Sequence, residues 1–136
     1  MKVVIDSNVL VSMIGKRSAL RPIWDAFIRS EYILVVSENI LKEYEEIMLE
    51  HSAEDVAYLV MEIFTESPDV IFQNVYYNWQ VITKDPDDNK FFDIAVAANV
   101  DFLITNDRHF DVVKNLSFPK VNIISAVDFL RVLNNL

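Results

Sequence analysis

The sequence predicts an α/β fold: a three-layer α/β/α sandwich around a mostly parallel sheet of four to five strands, in a single domain spanning residues 1–136. Short apolar runs at 2–5, 32–36, 102–105 and 121–124 lack the alternation of a half-exposed strand, so each reads as a strand buried on both faces. Segments with helical apolar spacing separate the runs, which implies parallel crossovers and helices on both sides of the sheet. The chain is also rich in core material, with 52% hydrophobic residues and a mean hydropathy of +0.21.

Lys2-Val3-Val4-Ile5 is the first strand, and Asp6-Ser7-Asn8 ends it with residues that favour caps and turns. Residues 9–14 begin a helix, 15–18 form a loop, and Pro22 suits the first turn of a helix carrying Ile23, Trp24 and Phe27. After the strand at 32–36, Ser37 is an N-cap, and Ile40, Leu41, Tyr44, Ile47 and Met48 follow at helical spacing. Val56, Leu59, Val60, Ile63 and Phe64 repeat that spacing until Ser67-Pro68-Asp69 breaks it. Short extended pieces are expected at 70–72 and 81–83. Lys84-Asp85-Pro86-Asp87-Asp88 is a polar turn, with Asp88 as the cap of a helix over 89–99. Strands at 102–105 and 121–124 follow, and Ser125 caps a last helix bearing Phe129, Leu130 and Leu133.

Composition excludes several functions. With no cysteine there is no disulfide, thiolate zinc site or cysteine nucleophile, which fits a cytoplasmic protein. The single glycine, Gly15, rules out a Walker loop and a dinucleotide fingerprint. No apolar run reaches the roughly 18 residues of a membrane span, and a charge at Asp6 breaks any signal-peptide core. The net charge of −9 opposes non-specific nucleic-acid binding unless part of it is a cation site.

Ligands of an open parallel sheet bind beyond the C-terminal strand ends. Asp6 directly follows the first strand, Asp107 follows the 102–105 strand, Asp88 opens a helix, and Glu43 lies one to two turns into the helix after the second strand. All four therefore belong to one edge of the sheet. Glu43 sits about 100° from the centre of its helix's apolar stripe, on the shoulder of the buried face, whereas Glu46 points outward. Each acid taken alone is an ordinary turn, cap or surface residue; their joint placement is what suggests a site. Clustered carboxylates repel and call for a cation, and an all-oxygen donor set suits Mg²⁺ or Mn²⁺ rather than zinc.

Val3-Val4-Ile5-Asp6-Ser7-Asn8-Val9-Leu10, Leu34-Val35-Val36-Ser37 with Glu43-Tyr44, Asp85-Pro86-Asp87-Asp88-Asn89-Lys90-Phe91, Ala98-Asn99-Val100-Asp101-Phe102-Leu103-Ile104-Thr105-Asn106-Asp107 and Ser125-Ala126-Val127-Asp128-Phe129-Leu130 occur in order with suitable gaps. With these runs the chain resembles the PIN-domain family and, within it, the VapC-like ribonucleases that act as toxins of bacterial toxin–antitoxin pairs. The resemblance implies a PIN-like sheet between helices and Mg²⁺- or Mn²⁺-dependent hydrolysis of single-stranded RNA. It implies a metal site of Asp6, Glu43, Asp88 and Asp107, with Asp93 in reserve for Asp88. Ser7 or Asn8 would hold a metal-bound water or orient Asp6, and Thr105 would support the site. A homodimer and a small antitoxin partner are also implied. Val100 and Asn106 stand where the family usually has glycine, and Asn106 can take the left-handed backbone that glycine would supply.

Lys16, Arg17, Arg21, Lys84, Lys90 and Arg108 flank the acidic segments, either as phosphate contacts or as counter-ions. Asp85 and Asp87 read as turn residues, and His51 and His109 as surface histidines, with a general-base role as the alternative for His109. Trp24 belongs to the core, while Tyr76-Tyr77-Asn78-Trp79 suits an exposed contact. Two other functions compete: a PIN-like domain that binds RNA or protein without cutting, and a phosphoreceiver-type domain. The latter usually needs an acidic pair after the first strand, which Asp6-Ser7-Asn8 lacks.

Overall fold

The computed structural model describes residues 1–136. Lys2–Ile5 forms β1, and the chain continues through α1 (Ser7–Ile14) and α2 (Arg21–Ile28) to β2 (Ile33–Val36). Two long helices, α3 (Glu38–His51) and α4 (Glu54–Glu66), lead to the short strand β3 (Val70–Phe72). An irregular stretch and a 3-10 turn at Pro86–Asp88 precede α5 (Asn89–Ala98), which returns the chain to β4 (Phe102–Ile104). A second 3-10 turn (Arg108–Phe110), α6 (Asp111–Lys114), β5 (Ile123–Ile124) and α7 (Ala126–Asn134) complete the fold.

The five strands make one wholly parallel sheet in the order β3-β2-β1-β4-β5. Successive residues of a strand face opposite sides. Val3, Val4 and Ile5 are all 0% exposed, so both faces of the central strand are covered, as the apolar runs predict. Chain order reverses between β1 and β4, which pair Val3 with Phe102 and Ile5 with Ile104. That reversal opens the crevice in which ligands of such sheets sit. No helix is long and apolar enough to cross a membrane.

The aromatic part of the core ties the helices to one another. Phe64 of α4 lies 5.9 Å from Trp24, 5.6 Å from Phe27 and 6.1 Å from Tyr44 between ring centroids. Tyr32 packs edge-on against Phe129 at 5.3 Å, joining the start of β2 to α7. Ser37 and Ser125 both act as N-caps, accepting from Ile40 N at 3.2 Å and Asp128 N at 3.1 Å.

Five local expectations need correction. Residues 81–83 are not a strand; Asn89 holds that segment instead, accepting from Ile82 N and donating to Ile82 O, both at 2.9 Å. The last strand is confined to Ile123–Ile124. In α4 the buried face carries Ala57, Val60 and Phe64, while Val56 and Leu59 lie on the solvent side. The left-handed backbone falls on Asn99, which caps α5 with φ 50°, and not on Asn106. Asp88 stands at the cap position of α5 but makes no side-chain cap bond; its carboxylate turns towards the other acids.

Candidate metal centre

Two strand ends, one helix and the turn before another helix build the site. β1 and β4 are locked at their C-terminal ends by Asp6 N donating to Ile104 O at 3.0 Å. This bond sets Asp6 beside Thr105, whose hydroxyl donates to Asp6 Oδ2 at 2.8 Å in a buried contact. The same hydroxyl oxygen accepts from Asp107 N at 3.0 Å, so one threonine places both strand-end acids. Asp107 then caps the 3-10 turn that follows, accepting from His109 N at 2.9 Å.

Glu43 arrives from α3. Its Oε2 accepts from the Ser7 hydroxyl and its Oε1 pairs with Lys90 Nζ at 2.6 Å. Beneath it, the buried Tyr44 hydroxyl donates to Ile5 O, fixing α3 against the end of β1. Asp88 enters from the turn before α5. His109 Nδ1 lies 3.3 Å from Asp88 Oδ2, 3.4 Å from Asp107 Oδ1 and 4.0 Å from Asp85 Oδ2. Ligand-type atoms of Asp85, Asp88 and His109 all fall within 4.8 Å of one another.

The electrostatics match this crowding. Burial raises the pKa of Asp6, and the nearby Asp107 and Glu43 charges raise it further, against the lowering effect of the Thr105 hydroxyl and the Ser7 N–H. Asp88 is pushed up to about 7, mainly by burial, then by Asp85, Asp107 and Asp6, with the His109 contact opposing. Burial and mutual repulsion therefore disfavour the charged form of these carboxylates, and a bound cation would favour it. The donor set of carboxylate oxygens with one imidazole suits a hard divalent cation.

Asp6 therefore lies within charge range of Glu43 and Asp107, and Asp88 within range of Asp107 and Asp6, while the tightest group of ligand atoms is Asp85, Asp88 and His109. Asp93 does not join them. It is buried on the α5 face towards residues 73–79, accepts from Trp79 N at 3.1 Å, and has a pKa raised by burial. Ser7 contacts Glu43 through its side chain and Asp6 only through its backbone. Asn8 is exposed at a small cleft shared with Asp6, Asn106 and Asp107. Among the cations, Lys90 is a counter-ion of Glu43, and Arg21 is structural, donating to Ile14 O at 2.6 Å and pairing with Asp25 at 3.3 Å. Lys16 and Arg17 are exposed in the loop after α1, and Arg108 and Lys84 are exposed beside His109.

The sequence reads His109 first as a surface histidine and Asp85 as a turn residue, and the structure brings both against Asp88. His109 is half-buried between Asp88 and Asp107 because the turn at Arg108–Phe110 folds its ring back onto the strand end. The available signal was the Asp107-Arg108-His109 spacing, in which an aspartate capping its own turn brings the residue two positions on towards the same carboxylate.

Solved structures share the architecture. The chain is similar to VapBC2 from Rickettsia felis, solved bound to a DNA fragment from its promoter, with TM-score 0.62, 16% identity, and 92% of this chain and 98% of that chain covered. It is also similar to VapC20 of Mycobacterium tuberculosis, described as a sarcin–ricin loop cleaving toxin, with TM-score 0.57, 11% identity, and 74% and 86% coverage. No curated protein sequence matches the chain. A family model for the PIN domain matches residues 2–109, spanning every acid of the site from Asp6 to Asp107. On that match and the parallel β3-β2-β1-β4-β5 sheet, the chain belongs to the PIN-domain family.

Proposed function

We propose that this chain is a Mg²⁺- or Mn²⁺-dependent endoribonuclease cutting single-stranded RNA, the toxin of a type II toxin–antitoxin pair, working in the cytoplasm. The carrying observation is the convergence of Asp6, Glu43, Asp88 and Asp107 at the strand crevice, with the Asp6 and Asp88 pKa values raised by burial and mutual repulsion. A divalent ion bound there supplies Lewis-acid neutralisation of the charge that develops on a phosphodiester in transit.

The chain's own residues supply position. Thr105 fixes Asp6 and the Asp107 backbone. Ser7 and Lys90 fix the two oxygens of Glu43. His109 stands between Asp88 and Asp107, with one ring nitrogen 3.3 Å and 3.4 Å from their carboxylate oxygens. The exposed Lys16, Arg17 and Arg108 are offered as phosphate contacts, and Lys90 serves the strand only after leaving Glu43. Two solved relatives in fold are a VapBC2 assembly and a VapC toxin, which supports a small antitoxin as partner; a homodimer of this chain is proposed on the family resemblance alone.

The test is incubation of purified protein with single-stranded RNA in Mn²⁺ or in EDTA, with a duplex of the same sequence as control. Internal cleavage of the single strand, present in Mn²⁺ and absent in EDTA, is expected. Metal binding without cleavage of any RNA would favour a binding module.

A further inference from the structure

We propose that the polar cavity between the start of α3, the end of β3 and α5 binds one nucleobase of the RNA strand, preferring a base with an exocyclic amino group over uracil. This rests on the ribonuclease function proposed above. The cavity has a volume of about 400 Å³ and is lined by residues that include Asn39, Phe72, Gln73, Asn74, Asn78 and Asp93. That size falls at the lower end of the roughly 300–1,000 Å³ typical of small-ligand sites.

Its chemistry matches a base edge. Four amide side chains, Asn39, Gln73, Asn74 and Asn78, surround the space, and each carries a carbonyl acceptor and an NH₂ donor. Gln73 donates to Asn74 O at 2.9 Å and Asn74 to the Tyr76 hydroxyl at 3.1 Å, which leaves both side-chain carbonyl oxygens without a partner in the chain. Asn39 and Asn78 make no side-chain bond within the chain, and such amides pair bidentately with base edges. Phe72 is 54% exposed on the rim, although it belongs to a strand, and offers a ring for stacking.

Asp93 supplies the selectivity. Only 4% of it is exposed, and its one hydrogen bond within the chain is from Trp79 N to Oδ1. No fully buried side-chain oxygen lacks a partner, so Oδ2 keeps access to the two adjoining clefts that Asp93 lines, this cavity and the one beside it that shares Asn78 and Lys90. A buried acceptor at that position favours an amino donor such as N4 of cytosine or N6 of adenine. Lys90 joins the cavity to the acidic centre: it lines the cavity and its ammonium rests on Glu43 at 2.6 Å. Asn39 and Lys90 also line the neighbouring cleft that contains Glu43. A base in the cavity therefore lies next to the cleft that contains Glu43.

Two measurements test this. In the first, metal-free protein is titrated with adenosine, cytidine, guanosine and uridine, which carry no phosphate, and side-chain amide resonances are followed by NMR. Asn39 and Asn78 amide shifts are expected at lower concentrations of the amino-bearing nucleosides than of uridine, and Asn78→Ala should lose them. In the second, oligonucleotides differing at one position are cleaved. Asp93→Asn, which replaces the buried acceptor by an amide that can also donate, should lose about tenfold of the preference for amino-bearing bases over uracil, read as the ratio of kcat/KM values. No shift at these amides with any nucleoside overturns the proposal, and is the outcome if a partner protein's side chain occupies the cavity. Unchanged discrimination in an active Asp93→Asn enzyme also overturns it. Nucleoside binding by a protein that cuts no RNA supports the base site and refutes the ribonuclease function instead.

Discussion

Thr105 and Asp6, separated by 99 residues of chain, meet in a buried hydrogen bond of 2.8 Å at the crevice between β1 and β4. The threonine hydroxyl also receives Asp107 N, so its loss would unfix two acids at once. Thr105→Val keeps the shape and removes the bond. It should lower stability by about 1–2 kcal/mol, read from urea unfolding. Divalent-ion affinity should fall by roughly 10–100-fold, as for other residues that orient metal ligands, read by calorimetry.

The free site should make the fold sensitive to pH. Asp6 and Asp88 have pKa values raised above the ordinary 3.8, Asp88 to about 7. Between the ordinary value and about 7 the folded chain holds protons that the unfolded chain has released. The stability contribution is therefore full below the ordinary value and is lost as pH rises through the folded value. Urea midpoints of metal-free protein should be higher at about pH 5 than at about pH 8, and Asp88→Asn should shrink the difference. A midpoint that rises over this range contradicts the assignment.

Asp88 and Asp93 should separate cleanly in a metal titration. Mn²⁺ at about 100 times its dissociation constant stabilises a one-site protein by about 2.7 kcal/mol, seen as a raised melting temperature. Asp88→Asn should abolish that shift. Asp93→Asn should keep it, because Asp93 faces the Trp79 backbone and not the acid cluster. Loss in the second variant with retention in the first would exchange their roles.

Two residues of α4 with similar sequence credentials should behave differently. Phe64, 0% exposed among Trp24, Phe27 and Tyr44, should cost about 3–5 kcal/mol when changed to alanine. Leu59, 57% exposed, should change stability by no more than about 0.5 kcal/mol. Chemical denaturation of both variants checks the pair.

What the sequence revealed followed from period and from strand ends. β1, β2 and β4 were legible because residues buried on both faces leave unbroken apolar runs, and the rule that ligands sit beyond parallel strand ends pointed to Asp6 and Asp107. α4 misled because its apolar spacing is wider than its buried face, leaving Val56 and Leu59 in solvent. Residues 81–83 look extended, yet Asn89 satisfies Ile82 from both sides and no strand partner is needed. Asp88 reads as a cap from its position alone, and only tertiary placement shows its carboxylate facing His109. His109 itself depends on the turn at 108–110, a three-residue element that leaves no periodic trace.

The central claim is that the clustered acids form a catalytic metal site, and the most direct measurement compares cleavage of one single-stranded RNA by wild-type protein and Asp6→Asn, purified identically, across a Mn²⁺ titration. Asp6 sits at the focus of the site, held by Thr105 and raised in pKa by burial and by Asp107 and Glu43. Metal-dependent internal cleavage is expected from the wild type and none from a folded Asp6→Asn protein at any Mn²⁺ concentration. Equal metal-dependent cleavage by the two proteins would contradict it.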